Sequence, residues 1–296
     1  MNILLIGHRG YIGTGLHNYF QPRHRIVGWD LQENLFKISP ETLKSEKIDL
    51  VVNLAVAADR KSPVFLDGEP TDTVNVVGAR HLVKVLKGTS IPWIQMSTRE
   101  VLGPVYGESD VIKEAGGYAP RFLVNEEAPY VPPNFYGKSK IMAEFISESH
   151  PFSNVIRLTT CYTDFDHPAG NWVVSLVKSA VNKRPVNLTQ GGRQFRDPLH
   201  VADLGSLMEK IVESGVKREK FHAGGGEANL ITLREFVQRV DPGVVIQEAP
   251  GGDFGFAFDN RKATRMTGWA PTILVRDRLA TVAENIRNNI VRPPGL

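Results

Sequence analysis

The 296-residue chain holds a single cysteine, Cys161. An internal disulfide is thereby excluded, which fits a reducing, cytoplasmic compartment, and a lone cysteine reads more simply as a small buried hydrophobe than as a nucleophile. Long apolar runs are missing as well. The opening ILLI at 3–6 is too short for a signal-peptide core and leads straight into glycine. No stretch approaches the ~20 apolar residues that a bilayer-crossing helix needs. Nor is there an excess of one charge: 35 basic residues face 32 acidic ones, for a net +3. The basic residues are dispersed, so neither nucleic acid nor a membrane surface is expected as a partner. Low-complexity tracts and internal repeats are absent, and no metal site is expected. What remains, 42% hydrophobic and 23% charged, is the composition of an ordinary globular protein with a substantial core.

The first half alternates short β-rich runs with helical patterns. Strands are expected at 2–7, 24–30, 48–56, 91–98 and 153–160, with helices from about Ile12, through VNVVGARHLVKVLK (74–87) and through FYGKSKIMAEFISES (135–149). Strands that are apolar on both faces and separated by helices indicate a parallel sheet covered on both sides. The fold class is therefore α/β, a Rossmann-type doubly wound sheet. After about residue 160 the pattern loosens into segments rich in Gly, Asp and aromatics, such as TQGGRQFRDP and APGGDFGFAFDN, with shorter helices between them. The expected division is a dinucleotide-binding domain at 1–160, with returns near 196–224, and a smaller C-terminal substrate lobe at 161–296. Loops at the carboxyl ends of the strands are where such a sheet binds its ligand.

IGHRGYIGTG (6–15) follows the first strand and opens a helix, placing Gly7, Gly10 and Gly13 three apart. Glycines there tighten the turn, admit a pyrophosphate to the backbone and let helix pack on strand, while the helix N-terminus offers amide donors. Asp30 ends the next strand at about the ~20-residue separation this motif requires. Its carboxylate can accept from both ribose hydroxyls but would repel a 2′-phosphate, which favours NAD over NADP. Arg9, inside the turn, could pair with a phosphate, stack on adenine, or be a solvated loop residue.

YGKSK places Tyr136 and Lys140 four apart at the start of a helix, on one face. Free tyrosine titrates near ~10, so a tyrosine base needs a cation beside it, which Lys140 would provide; taken alone, the spacing equally describes an aromatic and a lysine on a helix surface. A Ser/Thr after the preceding strand, Thr98 in STREV, completes the set.

These stretches together resemble the extended short-chain dehydrogenase/reductases, the NAD-dependent epimerase/dehydratase family that modifies nucleotide sugars. The resemblance covers most of the chain: GHRGYIG, Asp30, NLAV (53–56), NVVGARHLVKVL (75–86), STREV, YGKSK, RQFRDPLHVADL (193–204), FHAGGGEANLITLREF (221–236) and DNRKATRMTGWAPT (259–272). It implies Tyr136 as the proton-transferring base, Lys140 as the lysine that also holds the nicotinamide ribose, and Thr98 as the partner of the reacting hydroxyl. The cofactor side it implies comprises Gly7, Arg9, Gly10, Tyr11, Ile12, Gly13, Asp30, Leu31, Leu54, Ala55, Val56, Asn75 and Lys140. The candidates on the substrate side are Arg99, Thr160, Asn171 and Arg196, and of these the resemblance implies Arg196 on the nucleotide diphosphate. The alternative for Arg196 is a structural pair with Asp197 or Asp203. The helices at about 74–87 and 137–149 correspond to those that form family homodimers.

Departures bear on the reaction. RLTT (157–160) puts Thr160 where an asparagine commonly holds the diphosphate, Leu102 replaces a tyrosine, and the segment 104–133 is long enough for a lid or substrate loop. Family 4,6-dehydratases carry Thr-Asp-Glu where this chain has Thr98-Arg99-Glu100. Arginine stays protonated, so Arg99 cannot donate a proton to a leaving hydroxyl; it can anchor a substrate anion, keep Glu100 ionised, or simply pair with Glu100. Glu100 then stands as a possible second base. The expected function is an NAD-dependent nucleotide-sugar epimerase/dehydratase working through a 4-keto intermediate. A 4-ketosugar reductase or sugar dehydrogenase with net redox turnover, and a non-catalytic dinucleotide sensor, are the alternatives.

Overall fold

Along Asn2–Ile6 (β1) every second side chain enters a different core. Ile3 and Leu5 pack with Leu16, Phe20, Leu204 and Ile211, whereas Leu4 and Ile6 pack with Leu82, Leu86 and Ala143. This is the period-2 pattern of a strand buried on both faces. The computed structural model describes residues 1–58 and 69–290. Its centre is a six-stranded parallel sheet of β1, Arg25–Trp29 (β2), Leu50–Asn53 (β3), Trp93–Thr98 (β4), Ser153–Leu158 (β5) and Lys220–Ala223 (β6), in the spatial order β6-β5-β4-β3-β1-β2. The doubly wound α/β class is therefore observed. The first five strands lie within the runs expected from sequence. The sixth does not, because KFHA is short, half polar and followed by three glycines, which gives it no strand signature of its own.

Helices cover both faces. Tyr11–Phe20 (α1) packs against Val201–Ser214 (α5) on one side, while Gly78–Leu86 (α2) and Phe135–Ser147 (α3) lie together on the other. The helix expected over 74–87 is divided. Thr71–Val77 forms wide π-helical turns before α2 begins, and Asn75 sits within them. Two further clusters lie beyond the sheet. One gathers Trp172–Val181 (α4), Leu233–Val240 (α6) and Val275–Arg287 (α7). The other is aromatic, with Tyr106, Tyr118, Phe195, Phe256 and Phe258. It includes the segment at 104–133, where Val111–Glu114 pairs antiparallel with Gly117–Pro120 and Tyr118 N donates to Arg193 O at 2.8 Å. Among the described residues, no helix is long and apolar enough to cross a membrane.

The strand order reverses between β1 and β3, whose chains leave in opposite directions. A crevice opens outside the carboxyl ends of these strands, and such a switch point is where an open α/β sheet takes its ligand.

Candidate active site

Gly7 follows β1 into the crevice with φ +85°, a left-handed conformation that suits glycine, and a Cβ there would lie 3.1 Å from Ala55 N. Gly13 is required by proximity: a Cβ on it would stand 2.0 Å from Gly7 O. Gly10 occupies the N-cap of α1 and provides no side-chain cap, so the amides of the first turn keep their capacity for an anion. Asp30, just past β2, turns back over this loop. Its Oδ2 accepts from Arg9 N at 2.8 Å and its Oδ1 from Leu31 N at 2.8 Å. The Arg9 guanidinium is exposed and bonded to both carboxylate oxygens of Glu33 at 3.0 and 2.9 Å, as a solvated loop residue would be.

The remaining residues of the cofactor list divide by what their polar groups already do. Asn75 uses its whole amide inside the protein: Oδ1 accepts from Ala57 N at 3.0 Å, and Nδ2 donates to Ala57 O and to Ser139 Oγ, both at 2.9 Å. It therefore ties the loop after β3 to α3, and its influence on a cofactor would pass through that backbone. Tyr11 is buried, its hydroxyl accepting from Thr163 N at 2.9 Å, while half-buried Ile12 packs behind the turn. Leu54 and Ala55 line the crevice opposite Gly7, Val56 is half-exposed, and Leu31 is 88% exposed.

The helix α3 begins at Asn134, whose Oδ1 accepts from Gly137 N at 2.9 Å as an N-cap. The other end of the same amide donates to Glu100 Oε2 at 3.0 Å. Gly137 lies against the Glu100 carbonyl so closely that a Cβ would meet it at 2.7 Å. The end of β4, with Thr98, Arg99 and Glu100, is thereby pressed against the turn that carries Tyr136 and Lys140. Thr98, the last residue of β4, caps the 3₁₀ turn Arg99–Val101, its Oγ1 accepting from Glu100 N at 3.3 Å. Tyr136 and Lys140 are both buried. Burial pushes the Lys140 ammonium down from 10.5 to about 8, a shift that the Glu144 carboxylate one turn along opposes. The lysine thus remains charged at neutral pH.

Glu144 anchors a buried network under this helix. Its carboxylate accepts from Ser97 Oγ, from Tyr130 OH at 2.7 Å, and from Arg157 Nε and an Arg157 guanidinium nitrogen at 3.0 and 2.8 Å. Charge and hydrogen bonds are matched on both sides, as a buried pair requires. Sequence reading missed Asn134, Glu144 and Tyr130. An Asn three residues before a Gly at a helix start was a signal for the first; the other two had none.

Arg99 and Glu100 do not pair. The Arg99 guanidinium instead lies 5.0 Å from the centre of the Phe256 ring. Arg196 pairs with neither Asp197 nor Asp203. Its guanidinium donates to Asp253 at 2.9 and 3.2 Å and to Phe195 O at 2.7 Å. Asp203 is engaged elsewhere, accepting from Thr272 and Ile273, and Asp197 is buried and accepts from Phe258 N at 2.9 Å. Thr160 Oγ1 accepts from Trp172 Nε1 at 2.9 Å. Asn171 is spent on structure: its Oδ1 caps α4 at Val173 N and its Nδ2 donates to Cys161 O at 2.6 Å. Cys161 itself is buried, with its thiol pushed up by burial.

Residues 1–241 match the RmlD substrate binding domain model. The chain belongs to that family. Membership agrees with the resemblance to the extended short-chain dehydrogenase/reductases drawn from GHRGYIG, STREV and YGKSK. Relatives of this RmlD-family chain include the dTDP-glucose 4,6-dehydratase of Neisseria meningitidis serogroup B, 25% identical over 257 residues, which cover 75% of this chain and 68% of the relative. UDP-glucuronic acid decarboxylase 4 of Arabidopsis thaliana is 24% identical over 288 residues, covering 93% of this chain and 60% of the plant protein. Among solved structures, the dTDP-glucose 4,6-dehydratase of Bacillus anthracis in complex with NAD superposes with a TM-score of 0.79 at 22% identity, over 98% of this chain and 97% of the other.

Proposed function

We propose that this RmlD-family chain is an NAD-dependent enzyme that acts on a nucleotide-linked sugar through transient oxidation at C4. The observation that carries this reading is the contact of the turn at 98–101 with the start of α3, which brings the segment of Thr98 and Glu100 against the one that carries Tyr136 and Lys140, in the same sheet whose first strand leads into the glycine turn. The crevice fits the dinucleotide: the uncapped start of α1 suits a pyrophosphate, Asp30 suits the ribose hydroxyls, and Lys140 suits the second ribose. NAD, when bound, supplies a hydride acceptor and returns the hydride.

Tyr136 takes the proton from the sugar hydroxyl, and the Lys140 ammonium stabilises the phenolate that forms. Thr98 holds the reacting hydroxyl. Glu100, steadied by Asn134, serves as a second base at the carbon next to the ketone. Arg196 binds the diphosphate, using a guanidinium already braced by Asp253.

The test combines Tyr136→Phe with a panel of UDP-, dTDP- and GDP-sugars in deuterated water. Wild type should convert one of them without net accumulation of reduced nicotinamide and with solvent deuterium entering at carbon, and Tyr136→Phe should lose about 10²–10⁴-fold in turnover. Near-normal turnover in Tyr136→Phe would remove it as the base. Conversion without deuterium uptake would leave Glu100 with no catalytic part, and accumulation of reduced nicotinamide would make the enzyme a net oxidoreductase.

A further inference from the structure

The loop after β2 carries a second carboxylate that the ribose does not require. Glu33 lies three residues beyond Asp30, and its Oε2 accepts from Asp30 N at 2.9 Å, so a backbone bond holds it beside the residue that suits the ribose hydroxyls. From there it takes both terminal nitrogens of the Arg9 guanidinium, at 3.0 and 2.9 Å, as a two-pronged pair. That guanidinium keeps the Glu33 carboxyl below its usual range, and therefore ionised at neutral pH. Arg9 is fixed at its backbone as well: its N–H donates to Asp30 Oδ2 at 2.8 Å, and its carbonyl accepts from His167 Nε2 at 3.1 Å. The turn GHRGYIG has no other arginine. Its remaining basic side chain, His8, stands with Nδ1 3.8 Å from the same Asp30 oxygen.

NAD and NADP differ only in the phosphate on the adenine-side 2′ oxygen, one of the hydroxyl positions that Asp30 suits in the function proposed above, on which this inference rests. A phosphate monoester brings a charge of about −1.5 to −2, and a nearby arginine is the group suited to receive it. Arg9 stands in the right loop for that task and is already taken. An exposed ion pair costs little to break in water, but breaking this one does not remove the carboxylate. Glu33 stays tied to Asp30 N, so a phosphate that drew Arg9 away would face Asp30 and Glu33 together against one guanidinium. We propose that Glu33 is a coenzyme filter, holding Arg9 in a bidentate pair so that the loop offers no guanidinium to a 2′-phosphate and the site keeps to NAD. Asp30 accepts the hydroxyls; Glu33 denies the phosphate its counter-ion.

The test is competitive exchange on the purified holoprotein, brought to equilibrium with a mixture of NAD and NADP, freed of unbound dinucleotide and denatured, so that the two released dinucleotides can be counted by mass spectrometry. From an equimolar mixture wild type should return mostly NAD. Glu33→Gln, which keeps the shape and removes the charge, should move the bound NADP:NAD ratio up about 10- to 100-fold, the range of a charge-assisted contact. In an Arg9→Met background the same substitution should move it no more than about fivefold, since only the repulsion of an exposed charge is then relieved. His8 is common to every variant and drops out of the comparison. A wild type that prefers NADP, a movement below about threefold in Glu33→Gln, an equally large movement without Arg9, or loss of both dinucleotides from Glu33→Gln would each overturn the proposal. Failure of the C4 reading shows separately, as unimpaired turnover in Tyr136→Phe.

Discussion

Burial of the Lys140 ammonium moves its pKa from 10.5 to about 8, and that shift is also a statement about stability. Below pH 8 the folded and unfolded states both carry the proton, and the native state bears the full cost of the buried charge, on the order of 3 kcal/mol. Between about 8 and 10.5 the unfolded chain keeps a proton that the native one has lost, so this residue makes stability rise with pH across that window. Lys140→Met should therefore raise the thermal midpoint at pH 7, flatten the alkaline rise, and abolish turnover. Melting curves from pH 6 to 10 beside an activity assay would check this, and a lower midpoint at pH 7 would contradict it. At this scale the sequence was informative where chemistry is local. Gly7, Gly13, Asp30, Tyr136 and Lys140 announce themselves by spacing. Arg9, Arg196 and Asn171 did not reveal their partners, because Glu33, Asp253 and the Cys161 carbonyl reach them through turns and tertiary contacts that leave no periodic trace.

The start of α3 does two jobs with one side chain. Asn134 caps the helix and holds the Glu100 carboxylate, so its loss releases both. Asn134→Ala should cost about 1 kcal/mol of stability for the cap and should lower turnover beyond what that destabilisation explains. Denaturant titration gives the first and kinetics at a temperature far below the midpoint the second. Asn134→Asp, which keeps the cap but sets a second carboxylate beside Glu100, should restore stability and not rate. Elements were readable from the sequence in proportion to their length and apolarity. Trp93–Thr98 and Phe135–Ser147 stand out; Lys220–Ala223 is recruited to the edge of the sheet by backbone pairing with the segment around Val155–Leu158. The π-helical turns at 71–77 were hidden for a related reason, since apolar spacing does not distinguish them from the α-helix that follows.

Across the whole molecule, Val77, Met142 and Phe145, at the start of α2 and along α3, are 37%, 37% and 54% exposed. We propose that a second copy of the chain covers them, and light scattering on the native protein should give twice the chain mass. Phe145→Glu should return the monomer without displacing Tyr136 or Lys140, which are buried whereas Phe145 is exposed. A monomer in the wild type would refute this arrangement. The sequence conveyed the sheet well but said little of the lobe beyond it, whose cores join residues as distant as Tyr106 and Phe256. That lobe also reaches behind the glycine turn: Thr163 N donates to the Tyr11 hydroxyl, and His167 Nε2 donates to the Arg9 carbonyl at 3.1 Å. The C-terminal lobe and the glycine turn are thus fastened to each other at two points. On the function proposed above, a dinucleotide in that crevice would leave past local loops or after these fastenings break, and the expected consequence is a coenzyme that stays on the protein from one turnover to the next.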